Sequence, residues 1–235
     1  MTGALPHTAM VLAAGLGSRL GDGPPKPLRR VGGRALIDRA LDMLGEAGVA
    51  RAVVNTHHRA AEIEAHLAGR RQPEIVISRE AERLETGGGT AHALALLGGA
   101  PFFVLNSDLV WGADGAGWLG RLAAGFDPRR MDALLLLYPT AQAVHYEGCG
   151  DFHLASDGRL CRRQDPETAP FLFTGAQILV PGLFDDPPPG AWRLTRAYDR
   201  AEAEGRLFGL VCEGAWLDAG TPERLAHAET MLASA

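Results

Sequence analysis

The stretch Ala9-Met10-Val11-Leu12-Ala13-Ala14-Gly15-Leu16-Gly17-Ser18-Arg19-Leu20 decides the fold. Its first six residues are small or apolar and uncharged, and glycine closes them. That pattern reads as a strand buried on both faces. A strand with one wet face would alternate polar and apolar residues instead. After the glycines the apolar period becomes helical, with Ile37, Leu41 and Leu44 on one face of a segment over 35–44. Strand, glycine loop and helix make the first α/β unit.

The alternation continues outward from there. Ala52-Val53-Val54, Glu74-Ile75-Val76-Ile77, Phe102-Phe103-Val104-Leu105 and Leu134-Leu135-Leu136-Leu137 read as strands. Between them, 60–67 (Ile63 and Leu67 inward), 90–97 and 118–124 read as helices. Continuous apolar strands separated by helices predict a three-layer α/β/α domain with a Rossmann-like, mainly parallel sheet. From 140 to 170 the pattern loosens around Gly148, Gly150, Gly158 and Pro166, which predicts a small flap or hairpin insertion. Regularity returns with a strand over 176–180, a helix over 194–204, a strand over 208–211 and a helix over 222–232 with proline in its first turn. Asp185-Asp186-Pro187-Pro188-Pro189-Gly190 reads as a surface turn. No repeat or linker divides the chain, so residues 1–235 are expected to form one domain.

The net charge of −5, with no Lys/Arg run, disfavours a nucleic-acid or anionic-membrane partner. No apolar run is long enough to span a bilayer. The N-terminal residues do not read as a secretory signal. Cys149, Cys161 and Cys212 are odd in number and widely spaced, which suggests neither a disulfide framework nor a zinc site. A reducing cytoplasm fits these features. The histidines show no paired-ligand spacing, and no G-x-S-x-G elbow points to a hydrolase.

Ligands of open α/β sheets bind beyond the carboxyl ends of the strands, and three polar or glycine-rich segments fall there. The first runs from Leu12 through Ala13, Ala14, Gly15, Leu16, Gly17, Ser18 and Arg19, followed by Pro25-Lys26-Pro27-Leu28. Side-chain-free glycines let backbone N–H groups close on phosphate oxygens, and Arg19 and Lys26 add positive charge. A tight turn with two solvated cations is the plainer reading. The loop is neither a P-loop nor a full G-x-G-x-x-G fingerprint. The second segment is Leu84-Glu85-Thr86-Gly87-Gly88-Gly89-Thr90, read as a glycine loop ahead of a helix. Three successive glycines are entropically costly, which favours a function over a passive loop. The third is Asn106-Ser107-Asp108, whose carboxylate suits Mg²⁺ or a helix N-cap.

A-A-G-x-G-x-R followed by P-K-P-L resembles the signature of the sugar-1-phosphate nucleotidylyltransferases, and Trp216-Leu217-Asp218-Ala219-Gly220-Thr221 looks like the family's W-x-D-x-G-T element. The resemblance covers nearly the whole chain. It implies a nucleotide-diphospho-sugar transferase fold and transfer of a nucleoside monophosphate to a sugar 1-phosphate with release of pyrophosphate. It also implies that Arg19, Lys26 and Asp108 are catalytic and that Asp108 and Asp218 hold Mg²⁺. The nucleotide would be bound by residues 12–19, Lys26, Glu85, Thr86, Gly87 and Gly88. Leu84–Gly89, the stretch Gly148-Cys149-Gly150-Asp151-Phe152 and the compact size resemble the branch that uridylylates N-acetylmuramate α-1-phosphate from UTP in peptidoglycan recycling. Asn106, Gly148, Gly150, Asp151 and Thr174 are then the expected sugar contacts, with backbone N–H groups around 148–151 facing the lactyl carboxylate.

Two features depart from the family's usual form. Arg162-Arg163-Gln164-Asp165-Pro166-Glu167 stands where longer relatives carry E-K-P, and only Gly21-Asp22-Gly23-Pro24 separates Leu20 from Pro25. The short loop resembles cytidylyl- and molybdopterin-nucleotidyltransferases. Transfer to glucose or mannose 1-phosphate, transfer of CMP or GMP to a non-sugar acceptor, and a catalytically idle nucleotide-binding module are the other readings. A monomer or small homo-oligomer is expected.

Overall fold

The computed structural model describes residues 5–112 and 114–233. In chain order the strands are β1 (Thr8–Leu12), β2 (Arg30–Val31), β3 (Arg34–Ala35), β4 (Arg51–Thr56), β5 (Glu74–Arg79), β6 (Phe102–Asn106), β7 (Leu109–Trp111), β8 (Ala133–Pro139), β9 (Phe152–Leu154), β10 (Leu160–Arg162), β11 (Phe171–Leu179), β12 (Leu207–Val211) and β13 (Trp216–Asp218). The helices are α1 (Leu36–Glu46), α2 (Ala60–Leu67), α3 (Glu85–His92), α4 (Leu94–Leu97), α5 (Gly115–Gly125), α6 (Thr195–Ala203) and α7 (Pro222–Ala233).

Among the described residues, nine strands form the main sheet in the order β10-β9-β11-β6-β1-β4-β5, with β8 beside β11 and β12 beside β8. β1 pairs in parallel with β4 and β6, β4 with β5, and β12 with β8. β11 is antiparallel to both β6 and β8. Of these nine strands, only β11 and β10 therefore run against the others.

The apolar strand runs are explained by burial on both faces. In β1, Ala9 and Val11 join one apolar cluster and Met10 joins the other. β6 sorts the same way, with Phe103 and Leu105 on one side and Phe102 and Val104 on the other. The first cluster is covered by Ile37, Leu41 and Leu44 of α1, Ile63 and Leu67 of α2, and Leu119 and Leu122 of α5. The second is covered by Ala93 and Leu97 around α4, and by Ala197, Tyr198 and Ala201 of α6. Each fully buried leucine or phenylalanine contributes about 1.5–3 kcal/mol, so the helices are held chiefly by these faces.

The structure corrects several boundaries. The glycines of 87–89 lie inside α3, not in a loop before it. A Cβ on Gly87 would stand 2.3 Å from the Trp192 ring, and one on Gly89 would stand 2.4 Å from Glu80 Oε1. The glycines thus admit close packing, and that packing overrides their poor helix propensity. β11 starts at Phe171, earlier than the expected 176, because a register shift between Phe173 and Gln177 breaks its apolar period. The stretch 140–170 holds the β9–β10 hairpin on the sheet edge. The short pair β7–β13 has no counterpart in the sequence reading. Among the described residues, no helix is long and apolar enough to cross a membrane.

Candidate active site

The register of the sheet places polar side chains at one level. Leu12, the last residue of β1, pairs with Asn55 of β4 on one side and Asn106 of β6 on the other. Beyond these carboxyl ends lies a cavity of about 420 Å³. Its lining brings together Leu12, Ala13, Ala14, Gly15, Arg19 and Lys26 from the first segment, Glu85 and Thr86 from the second, and Asn106 and Asp108 from the third. Thr174 and Asp218 complete the expected residues found there. Leu16, Gly17, Ser18, Gly87, Gly88, Gly148, Gly150 and Asp151 are outside this lining.

The loop after β1 is shaped by two constraints. Gly17 has φ +65°, and a Cβ there would meet Lys26 Cβ at 2.8 Å. The loop therefore folds down onto Lys26 only with glycine at this position. The short segment that follows is tied by Arg29, whose Nη2 donates to the carbonyls of Leu20, Gly21 and Asp22 at 2.8–3.2 Å. Arg59 donates to the carbonyl of Gly23. Gly15 faces open space, and a Cβ there would meet nothing within 4 Å.

Asp108 and Asp218 meet through β7 and β13. Asp218 pairs with Leu109 across that ladder, and the next N–H, of Ala219, donates to the Asp108 carbonyl at 2.9 Å. Each carboxylate holds a cation of the chain: Lys26 Nζ on Asp108 and Arg224 Nη1 on Asp218. Asp218 Oδ1 also accepts the Gly220 N–H at 3.1 Å. Arg224 sits in the first turn of α7, where Thr221 Oγ1 caps its N–H at 3.3 Å. Its Nε and Nη2 both donate to the His145 carbonyl at 3.1 Å. A Cβ on Gly220 would stand 3.0 Å from Arg19 Nη2 and 2.6 Å from Asp218 Oδ1, so both side chains border Gly220. Asp108 and Asp218 are the carboxylates of this wall that could hold a magnesium ion, and each is engaged here by a cation of the chain. That ion leans on one or two carboxylates and takes its remaining ligands from water and substrate phosphates.

The second segment is held differently from expectation. The N–H groups of Gly87 and Gly88 both donate to the Trp192 carbonyl, at 2.9 and 3.0 Å, and Trp192 N–H returns a bond to Leu84. Leu194 N–H donates to Thr86 Oγ1 at 3.0 Å. Glu85 takes a left-handed φ of 60° on the cavity wall, and Arg83 pairs with it at 2.8 Å. Such a backbone is costly outside glycine and is held by its surroundings.

On the expected acceptor side, the N–H groups of Gly150 and Asp151 are already used. They donate to Tyr146 Oη at 3.2 Å and to the Phe171 carbonyl at 2.7 Å. Gly150 and Asp151 border a second cavity of about 340 Å³, and Phe173 lines both cavities. Burial pushes the Asp151 carboxyl above its ordinary value, against the Phe173 N–H bond and the nearby Arg163 charge, which lower it. Thr174 Oγ1 donates to the Leu136 carbonyl at 2.8 Å. Burial also pushes the Cys212 thiol up to about 12, as suits an inert core cysteine.

Sequence reasoning missed Asn55, Glu80, Arg83, Phe173 and Arg224, all of which line the main cavity. Asn55 ends an apolar run just as Asn106 does, so the strand-end rule could have found it. Arg224 carries no such signal.

The family model of the MobA-like NTP transferase domain matches residues 9–149. The chain is 43% identical to the N-acetylmuramate alpha-1-phosphate uridylyltransferase of Caulobacter vibrioides, over 98% of each chain. It is 34% identical to the protein of that name from Neisseria meningitidis, over 95% of this chain and 97% of that one. A putative glucose-1-phosphate thymidylyltransferase from Bacillus anthracis superposes with a TM-score of 0.80 at 16% identity, over 95% and 94% of the two chains, and shares the fold.

Proposed function

The chain belongs to the MobA-like NTP transferase family of nucleotidyltransferases, and from that premise we propose that it transfers UMP from UTP to N-acetylmuramate α-1-phosphate. The products are UDP-N-acetylmuramate and pyrophosphate. One structural observation carries the chemistry: Arg19, Lys26, Asp108 and Asp218 converge on a single cavity at the carboxyl ends of parallel strands. The nucleotide and acceptor are supported by full-length likeness to two relatives bearing the same name.

In this reading the sugar's phosphate oxygen attacks the α-phosphorus in line, and pyrophosphate leaves. A phosphate monoester has a second pKa of about 6, so it is largely dianionic near neutrality and needs no strong base. The protein's task is then positioning and charge neutralisation. The loop from Leu12 to Gly15 receives the phosphates, with Gly15 leaving its backbone bare toward the open cavity. Arg19 and Lys26 oppose the charge that grows on departing pyrophosphate. Glu85 and Thr86 border the base, while Gly87 and Gly88 hold that segment against Trp192. Asn106 and Thr174 border the sugar, with Gly150 and Asp151 behind Phe173. Asp108 and Asp218 would hold Mg²⁺, which when bound would supply positive charge to offset that of the phosphates.

The test is pyrophosphate release from UTP and N-acetylmuramate α-1-phosphate, with and without a chelator. Release that requires both substrates and stops on chelation is expected. Undiminished release in excess chelator would remove the metal assignment, and UTP cleavage independent of the sugar phosphate would remove the transferase reading.

A further inference from the structure

A buried carboxylate joins the two halves of the nucleotide site. Glu80 follows β5 and is only 3% exposed, yet among the described residues it makes no ion pair with lysine or arginine. Two N–H donors hold it instead. Asn55 Nδ2 donates to Oε1 at 2.7 Å, and the Leu84 N–H donates to Oε2 at 3.0 Å. Asn55, also 3% exposed, accepts the Ala13 N–H on Oδ1 at 2.7 Å. The chain of bonds therefore runs from Ala13, in the loop after β1, to Leu84, immediately before Glu85 and Thr86. Gly89 leaves room for it, since a Cβ there would stand 2.4 Å from Glu80 Oε1 and 2.8 Å from Asn55 Nδ2.

We infer that Asn55 and Glu80 form a positioning clamp that sets the spacing between the phosphate loop and the Glu85–Thr86 segment, and so sets affinity for the triphosphate. The inference rests on the nucleotidyltransferase reading above. An uncompensated buried carboxylate is costly; this one is satisfied by Leu84 directly and by Asn55, whose other amide atom holds Ala13. Each of its oxygens accepts one N–H of the protein, and the clamp acts through the backbone of Ala13 and Leu84.

The polarity of the clamp can be reversed. Glu80→Gln alone sets an amide N–H₂ against one of two existing donors. Asn55→Asp alone sets two carboxylates against each other. The double variant restores every bond: the new carboxylate accepts from Ala13 and from the amide at position 80, whose oxygen accepts from Leu84.

The experiment is calorimetric titration of UTP with Mg²⁺ into each folded protein, alongside steady-state KM values for both substrates. Each single variant is expected to weaken UTP binding roughly tenfold or more, the scale of a lost hydrogen bond to a charged group. The double variant should return to within about threefold of wild type, as coupled sites do. The KM for the sugar phosphate should stay put in all three. Folded single variants that bind UTP like wild type would overturn the clamp. So would a folded double variant with no restored affinity, because a direct contact from Glu80 to the nucleotide is not rescued from position 55. Wild-type protein that binds no UTP would instead overturn the reading on which the clamp rests.

Discussion

Lys26 touches Asp108 on the cavity wall, so changing either residue uncovers the other. Asp108→Asn removes the negative charge but keeps the shape, and Lys26 stays partly hydrated. We expect kcat to fall on the order of a hundredfold or more, the scale of losing one electrostatic stabiliser. The melting temperature should move by only a few degrees, as suits about 1 kcal/mol in a chain of this size. Near wild-type turnover at saturating Mg²⁺ would contradict the role. Lys26→Ala should raise the triphosphate KM and lower kcat together, because the charge meets phosphate in both ground and transition states. A change confined to the sugar-phosphate KM would move Lys26 to the acceptor side. At this scale the site was partly legible. Lys26 and Asp108 stand in recognisable local contexts, whereas Asp218 is reached only through the resemblance of residues 216–221 to the family's element. Glu80 and Arg224 stand in no such context, since what makes them matter is a partner distant in sequence or in the fold.

Among the elements, α3 shows packing overruling propensity. Its glycines are poor helix formers, and the sequence accordingly reads as a loop before a helix at 90. The helix forms because Trp192 and Glu80 occupy the space where side chains would stand. The sign of a single substitution decides between the two pictures. In an open helix, Gly87→Ala would stabilise by about 1 kcal/mol. Against the Trp192 ring it should destabilise by roughly 1–3 kcal/mol, read by urea denaturation. In a Trp192→Ala background the cost should shrink, and a double-mutant cycle measures the coupling. A stabilising Gly87→Ala in the wild-type background would refute the packing argument. By contrast, α2 was legible to its ends, since Ile63 and Leu67 alone define its buried face. The β7–β13 ladder was not, because its three-residue strands pair across a long separation and show no period of their own.

For the whole molecule, one sheet with two apolar faces explains why the cavity lies at the carboxyl ends of β1, β4 and β6. Helices cover both faces, so the rim is where polar groups can gather. The layering was legible because β1, β6 and β8 are apolar without alternation. The reversed direction of β11 was not, since an apolar run does not encode which way its strand points. That reversal, with its register shift, brings Phe173 and Thr174 to the cavity, and Phe173 also lines the second one. The central claim is nucleotidyl transfer at this rim to an acceptor with a muramyl group. The most direct measurement is a crossed panel of the four nucleoside triphosphates against hexose 1-phosphates, including N-acetylmuramate α-1-phosphate, read as kcat/KM for pyrophosphate release. The account predicts that UTP with N-acetylmuramate α-1-phosphate is the preferred pair. Preference for glucose or mannose 1-phosphate would contradict the acceptor assignment, and no release from any pair would contradict the claim itself.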